Sequence, residues 1–271
     1  MLFSMRPVGR QLANANFANV EQAPFVLSGG GARGVAHIGV LRACAEAGIV
    51  PSAISATSAG ALVGAFIAAG FTPEELERLL REEWRLHLTR WRVLRGERLT
   101  QRRIGEFLQA NLPVKNFEEL RIPLHVTATD MAKGGQRIFS SGPLIAPLLA
   151  SCAVPLVFPS VEIDGVPYVD GGLSNNLPIE PFDDRRSDVI AVYVNPLPPY
   201  TPRSNWRITM DRVFHLSFRE LVARSAKGCR LYIEPQELAR FGMFDLRHVA
   251  RIGQVGYACA KECLVQPGRR T

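Results

Sequence analysis

Cysteine and lysine are both scarce in this chain of 271 residues. The five cysteines are scattered without a C-x-x-C pair, a pattern that argues against a disulfide framework and against a zinc site. Lysine occurs only four times, so arginine supplies most of the positive charge behind the formal net charge of +7. Arginine pairs well with phosphate and carboxylate, which suits phospholipid headgroups or nucleic acid as partners. Because no nucleic-acid motif accompanies the charge, we expect no nucleic-acid partner and favour a solvated basic surface.

A long unbroken apolar run is also missing. The N-terminus contains no apolar core of signal-peptide length, so a cytoplasmic location is expected. Residues 47–73 carry no charged side chain over 27 positions, which is long enough for a membrane span. Pro51, Gly60 and the polar residues between them interrupt this stretch, so a buried strand followed by a buried helix is favoured.

The composition is that of a globular domain. Hydrophobic residues make up 47% of the chain and charged residues 21%, which supports a sizeable core. No linker-like segment divides the chain. We therefore expect an N-terminal extension over residues 1–23, followed by a single domain over residues 24–271.

Candidate strands alternate with candidate helices along this domain. The apolar residues 24–27 precede a glycine-rich loop and then helical periodicity, and Asp164-Gly165 separates two short runs as in a hairpin. Further strands are predicted at residues 49–55, 124–129, 136–139, 161–163, 166–169 and 189–194, and further helices at 59–69, 72–88, 212–226 and 245–263. The alternation predicts an α/β fold in which helices cover both faces of a mostly parallel sheet.

The glycine-rich loop has two functional interpretations. Gly29, Gly31 and Gly34 match the G-x-G-x-x-G pattern of a Rossmann dinucleotide site, between a strand and a helix. Such a site normally has an acidic residue at the end of the second strand, but residues 52–58 contain none. Alternatively, the loop gathers backbone N–H groups at a helix start as an oxyanion hole, with Arg33 steadying the loop or adding positive potential.

The sequence ATSAG places Ser58 between the second strand and the following helix. It differs from the G-x-S-x-G nucleophile turn only by the methyl group of Ala56. The turn needs small neighbours because the helix packs closely over the strand, and Gly60 meets that need. We predict an active turn with Ser58 as nucleophile. A buried serine in a helix cap would give the same short pattern.

A serine nucleophile requires a base. The five histidines lie in helical or strand contexts without a distinctive loop setting: His37, His87, His125, His215 and His248. An α/β-hydrolase order of Ser, Asp, His is formally satisfied by the last two, but both lie in helical runs. Asp170 is the better candidate, because it ends a predicted strand and precedes Gly171-Gly172. A partly desolvated carboxylate near Ser58 acts as a general base directly.

Three motifs together carry a family resemblance. GGGARG, ATSAG and VDGGLSNNLP occur in this order, and the chain over residues 24–195 resembles the patatin-like phospholipase family. The resemblance implies a three-layer α/β/α sandwich, hydrolysis of lipid acyl esters, and a Ser-Asp dyad without histidine.

Carried over to this chain, the resemblance makes Ser58 the nucleophile and Asp170 the base, and it forms the oxyanion region from Gly29, Gly30, Gly31 and Arg33. The supporting motif residues are Gly34, Ala56, Gly60, Gly171 and Gly172. No metal or organic cofactor is expected, and the substrate is expected to be a lipid or another acyl ester. Peripheral membrane contact, through the arginine-rich residues 78–103 or the apolar residues 144–158, stays open, as does the oligomeric state. The alternatives are a catalytically weak patatin-like scaffold and a Rossmann-type nucleotide-binding protein.

Overall fold

A computed structural model describes residues 20–89, 101–197, 206–243 and 245–265. Its strands are β1 (Glu21–Leu27), β2 (Ile49–Thr57), β3 (Leu124–Asp130), β4 (Gly135–Phe139), β5 (Val161–Ile163), β6 (Val166–Asp170), β7 (Ile190–Val192) and β8 (Leu231–Ile233). They form one sheet in the order β5-β6-β3-β2-β1-β7-β8, and β4 also pairs with β3.

The centre of the sheet is parallel and one edge is antiparallel. β1 lies between β2 and β7 and is parallel to both, and β3 and β8 continue this parallel arrangement on either side. β4 and β6 run antiparallel to β3, and β5 runs antiparallel to β6. The predicted mostly parallel sheet is confirmed. Because β1 and β2 are parallel neighbours, the loops that follow them emerge together at one edge of the sheet.

Helices cover both faces. The described α-helices are α1 (Ala36–Glu46), α2 (Ser58–Ala68), α3 (Pro73–Thr89), α4 (Gln101–Asn111), α5 (Ile145–Ser151), α6 (Trp206–Ala226) and α7 (Val249–Val265). The larger apolar cluster joins one face of the sheet to α1, α2 and α7, and a second cluster joins the other face to α6 and residues 177–189. This arrangement confirms the predicted α/β/α sandwich.

Strand β1 shows why both faces of the sheet must be covered by other elements. Phe25 and Leu27 belong to the larger cluster, whereas Val26 belongs to the second. Successive strand residues point to opposite faces, so an apolar run buries side chains on both sides. Each such side chain stabilises the fold by about 1.5–3 kcal/mol when it is fully buried.

Strands β1 and β2 are longer than the apolar runs that predicted them, whereas β7 is shorter than the predicted strand of residues 189–194, and β8 lies where no strand was predicted. β1 begins at Glu21, where Glu21 pairs with Ile49, and β2 continues to Thr57, which pairs with Thr127. Backbone pairing does not depend on side-chain polarity, so the hydrophobic pattern underestimates strand length. The predicted hairpin is confirmed: β5 and β6 are antiparallel, and Asp164 and Gly165 both have positive φ, as a two-residue type I′ turn requires.

Two helix boundaries also differ from the prediction. α6 begins at Trp206, earlier than residue 212. Asp245 caps a short 3-10 helix, Leu246–His248, and α7 starts only after it. Most of the predicted N-terminal extension, and residues 90–100 of the arginine-rich segment, lie outside the described residues. None of the helices within the described ranges combines the length and hydrophobicity needed to span a membrane.

Candidate active site

Ser58 begins α2 directly after β2, in the strand-to-helix turn that the sequence predicts. Its φ of +52° is a left-handed conformation, which is strained for a residue with a side chain. The first turn of α2 packs against the neighbouring strand, and a Cβ on Gly60 would meet the carbonyl groups of Leu27 and Ser28. Residue 60 must therefore be glycine for the helix to start here.

The methyl group of Ala56 is fully buried beneath α2. It lies under Gly64, where an added Cβ would be 3.7 Å from the Ala56 Cβ and 3.0 Å from Ile54 Cγ2. The Ala56 methyl group therefore lies at an ordinary packing distance beneath α2 and does not crowd the helix. The turn keeps its geometry although its first glycine is replaced.

The Ser58 and Asp170 side chains meet. Ser58 Oγ donates a hydrogen bond to Asp170 Oδ2 at 2.6 Å. Asp170 is paired with Ala128 in β3, one residue beyond Thr127, which is paired with Thr57 in β2. The two motifs are far apart in sequence, but they meet in the fold because β3 lies between β2 and β6 and pairs with both strands.

The second carboxylate oxygen of Asp170 also accepts a hydrogen bond. The Gly172 N–H donates to Asp170 Oδ1 at 2.8 Å, and Gly171 packs so closely on Thr127 that a Cβ would collide with its carbonyl group. Burial raises the pKa of Asp170 to about 6, although the hydrogen bonds from Ser58 and Gly172 act in the opposite direction. At neutral pH the carboxylate is therefore largely ionised but poorly solvated, which suits a proton acceptor.

The three consecutive glycines lie beside this pair. The Gly29 carbonyl accepts hydrogen bonds from Asn195 Nδ2 at 2.7 Å and from Ser28 Oγ at 3.0 Å, which fixes the loop. No hydrogen bond between described residues uses the N–H groups of Gly30 or Gly31. Both glycines line the same cavity as Ser58 and Asp170, so their N–H groups are candidates for binding an oxyanion.

Arg33 supports the loop from behind. Its side chain is buried, and Nε donates to the Phe241 carbonyl at 2.7 Å. Arg33 is not among the residues that line the cavity, so its guanidinium anchors the loop and does not line the predicted oxyanion region. Gly34 contacts the start of α2, where a Cβ would collide with the Ala59 methyl group.

The cavity above Ser58, called the Ser58 cavity below, has a volume of about 30 Å³. Apart from the candidate dyad, Gly172 and the glycine loop, it is lined by Val154, Pro155, Leu173, Met243, Asn176 and Asn195. A volume of this size holds about one water molecule or the reacting end of a substrate.

Sequence reasoning missed three polar residues here. Asn176 and Asn195 line the Ser58 cavity, and Ser151 accepts the Ser58 N–H at 2.7 Å. Asn195 follows the predicted strand of residues 189–194, and polar side chains that follow parallel strands collect at the edge where ligands bind. That signal could have identified it, whereas Ser151 lies inside a helix and gives no comparable signal.

The histidines with described side chains lie elsewhere. His37 is fully buried, its Nε2 is 2.8 Å from the Ser28 carbonyl oxygen, and burial lowers its pKa to about 4. His125 packs on Phe182, and His248 pairs with Asp245. Within the described ranges, no group of three or more histidine, cysteine, aspartate or glutamate side chains is placed to hold a metal ion.

Comparisons with known proteins identify a family for this chain. The family model for patatin-like phospholipase matches residues 25–183. An NTE family protein of Mycobacterium tuberculosis is 35% identical over 180 residues, which cover 63% of this chain and 48% of the relative. A lysophospholipase of Coccidioides immitis is 28% identical over 89% of this chain and 17% of the relative. VipD from Legionella pneumophila, at 16% identity, has a TM-score of 0.53 over 92% of this chain and 67% of its own, which supports the fold alone.

The chain spans less than half the length of these two curated relatives. The matched family model nevertheless covers more than half of this chain and includes the glycine loop, Ser58 and Asp170. The protein therefore belongs to the patatin-like phospholipase family.

Proposed function

We propose that this protein hydrolyses carboxylic esters of lipids, with Ser58 as nucleophile and Asp170 as general base. The 2.6 Å hydrogen bond between Ser58 Oγ and Asp170 Oδ2, next to the N–H groups of Gly30 and Gly31, is the observation that carries the proposal. The raised pKa of Asp170 supports its role as a proton acceptor.

Acylation follows from this geometry. Asp170 Oδ2 takes the proton of Ser58 Oγ as that oxygen bonds to the ester carbonyl carbon. The carbonyl oxygen becomes an oxyanion, which the Gly30 and Gly31 N–H groups stabilise. Collapse of this intermediate breaks the ester bond, and the proton on Asp170 passes to the departing alkoxide. The products of this step are the alcohol and an acyl group on Ser58.

Deacylation repeats the same steps with water. Asp170 accepts a proton from a water molecule while the oxygen of that water attacks the acyl carbon. The same N–H groups stabilise the second oxyanion, and the proton returns to Ser58 Oγ as the fatty acid leaves. One carboxylate thus serves both half-reactions.

The substrate is proposed to be a lipid whose acyl chain lies outside the small Ser58 cavity. Val154, Pro155, Leu173 and Met243 form an apolar rim that fits hydrocarbon, and a relative is named lysophospholipase. Phospholipids with one acyl chain are therefore the first substrates to test. A dinucleotide is disfavoured, because a cavity of about 30 Å³ leaves no room for a pyrophosphate over the glycine loop.

We also propose that the rim of the Ser58 cavity contacts the lipid surface. Leu156 is fully exposed and Val157 about half exposed, directly after the lining residues Val154 and Pro155. Exposed apolar side chains at a cavity mouth are typical of an interaction surface. Leu156→Asp is expected to reduce co-sedimentation with anionic vesicles at low and high salt, without changing hydrolysis of a soluble ester.

Val213→Asp, on the exposed surface of α6, is the matched control for that variant. Retention of vesicle binding by Leu156→Asp would contradict the lipid contact at this rim. A binding loss of the same size in both variants would contradict it as well.

The hydrolase proposal is tested with wild type, Ser58→Ala and Asp170→Asn on a nitrophenyl ester and on lyso-, diacyl and neutral lipids. Both variants are expected to lose at least about a thousand-fold in kcat/KM. Ser52→Ala on the same strand and Asp164→Asn in the exposed hairpin are the matched controls. Activity in Ser58→Ala equal to wild type would refute the dyad. A wild type without activity on any ester would indicate a scaffold that has lost turnover.

A further inference from the structure

Ser151 is the last residue of α5 and is fully buried beside the nucleophile turn. Its hydroxyl takes part in two short hydrogen bonds. It accepts the Ser58 N–H at 2.7 Å, and it donates to the Thr127 carbonyl at 2.6 Å. One side chain thus joins the backbone of the nucleophile to the backbone of the adjacent strand.

The position of this bridge explains how the turn is held. Thr57 and Thr127 are the last paired residues of the parallel strands β2 and β3. Ser58 leaves the sheet at once with a φ of +52°, and its N–H group does not reach a strand partner directly. The Ser151 hydroxyl fills the gap between this N–H and the Thr127 carbonyl, so it replaces a rung of the ladder where the strand turns away.

The same Thr127 carbonyl also supports the other half of the dyad. Gly171, next to Asp170, packs against it so closely that no Cβ fits between them. The nucleophile turn, through Ser151, and the aspartate turn, through Gly171, are therefore both built on one carbonyl group. Their shared support fixes the distance between Ser58 Oγ and Asp170 Oδ2.

We propose that Ser151 is a positioning residue for the Ser58–Asp170 pair, which holds the strained turn so that the two side chains stay within proton-transfer distance. The inference rests on the proposed hydrolase function. Because the Ser58 N–H is already bonded to Ser151, that group is not a free oxyanion donor, and the N–H groups of the glycine loop that lines the cavity remain the candidates for this role.

The test compares Ser151→Ala with Ser151→Thr, which keeps the hydroxyl, and with Ser55→Ala. Ser55 is a matched control because it is also fully buried in this region and donates to a backbone carbonyl, that of Pro178, at 2.6 Å. Ser151→Ala is expected to lower kcat by about 10- to 100-fold with KM changed by less than about twofold, since misplacement of reacting groups acts on the transition state. Ser151→Thr is expected to recover most of this loss, and Ser55→Ala to lose thermal stability without losing kcat.

The pH profile supplies a second readout that a merely structural role would not change. The hydrogen bond from Ser58 lowers the pKa of Asp170, so its weakening in Ser151→Ala should move the acidic limb of kcat/KM to higher pH. The titratable neighbour of Asp170 among the described residues is Cys152, whose pKa is raised well above its ordinary value by burial and by the Asp170 charge, so its thiol stays neutral.

Wild-type kcat and an unshifted acidic limb in Ser151→Ala would overturn the positioning role. An equal loss of kcat in Ser151→Ala and Ser55→Ala at equal loss of thermal stability would also overturn it. If Ser58→Ala is inactive while Ser151→Ala matches wild type, the proposed hydrolase stands and only the positioning role fails. If a fluorophosphonate does not label wild-type Ser58, the hydrolase proposal fails, and the positioning role fails with it.

Discussion

Two cavities among the described residues differ in size and in chemistry. The Ser58 cavity has a volume of about 30 Å³, whereas a groove between α1, α3 and the start of α7 has about 530 Å³. In the groove, called the α1–α3 groove below, Glu77 pairs with Arg42 at 3.0 Å and with Arg81 at 2.5 Å. These three charged side chains form ion pairs with one another, as is common on a protein surface.

The smaller cavity holds the opposite arrangement. Ser58 has a strained backbone, burial raises the pKa of Asp170 to about 6, and the Gly30 and Gly31 N–H groups have no acceptor among the described residues. Strain, a shifted pKa and unsatisfied donors persist in a folded protein only where the surrounding structure enforces them. The two places therefore differ in their unmet interactions, which favour the Ser58 cavity, whereas volume alone would favour the groove.

After the two dyad residues, the largest effect on activity is expected from the glycine loop. Gly31 has a φ of +56°, and a Cβ there would meet the Met243 carbonyl, so Gly31→Ala should displace the N–H group proposed as an oxyanion donor. Ester hydrolysis is expected to fall on the order of a hundred-fold in kcat. Gly228→Ala, at a φ of +85° in open space, is the control that carries similar backbone strain far from the cavity. Equal kcat in the two variants would show that the glycine loop takes no part in catalysis.

The next effect is on stability. Burial raises the pKa of Asp170 from 3.8 to about 6 in the folded protein, so the folded carboxyl binds its proton more tightly than the unfolded one. The free energy of unfolding of wild type should therefore fall as pH rises from about 4 to about 6. Asp170→Asn removes this cost and is expected to be more stable than wild type at pH 8, by about 3 kcal/mol. Urea unfolding at pH 4 and pH 8 measures it, and a variant that is less stable at pH 8 would contradict a poorly solvated carboxylate.

A pH dependence of activity follows from the same group. Asp170 must be ionised to accept the Ser58 proton, so kcat/KM should fall about tenfold per pH unit below the pKa of about 6 and be level above it. Initial rates between pH 4.5 and 8, with folding checked by circular dichroism, provide the measurement. A constant rate down to pH 4.5 would exclude Asp170 as the base.

The smallest effect is expected in the α1–α3 groove. Arg42 forms an ion pair with Glu77, and its guanidinium carbon lies 4.4 Å from the centre of the Tyr257 ring. Both interactions are near the surface. Arg42→Ala should lower the free energy of unfolding by about 1 kcal/mol and leave kcat within about twofold of wild type. A loss of activity as large as that of Gly31→Ala would indicate that the α1–α3 groove takes part in catalysis, which would contradict its description as ordinary surface.

The sequence predicted those features that local patterns encode. The strand, glycine loop and helix around Gly29–Gly31, the turn at Ser58 and the Asp164-Gly165 hairpin all follow from short-range chemistry, and the alternation of strands and helices predicts the layered fold. Asp170 was predicted as the base for Ser58 from its place at the end of a strand before Gly171-Gly172. The family resemblance then implied the same dyad, and the structure adds the 2.6 Å distance between the two side chains.

The remaining features depend on long-range packing. The Ala56 methyl group packs beneath α2 without crowding it, and Arg33 reaches the carbonyl of a residue more than 200 positions later. Ser151 has the sequence environment of an ordinary helix residue, although it contacts the Ser58 backbone. Contacts between distant segments leave no periodic or compositional signal, so a single sequence does not reveal them.

A fluorophosphonate probe with a long alkyl chain tests the activated serine most directly. Labelling requires an activated nucleophile but does not require a complete catalytic cycle. Intact-mass measurement followed by peptide mapping should find one label on wild-type protein, located at Ser58. The label should be absent from Ser58→Ala and form much more slowly in Asp170→Asn. An unlabelled wild type, or an equal rate of labelling in Asp170→Asn, would contradict a serine activated by this carboxylate.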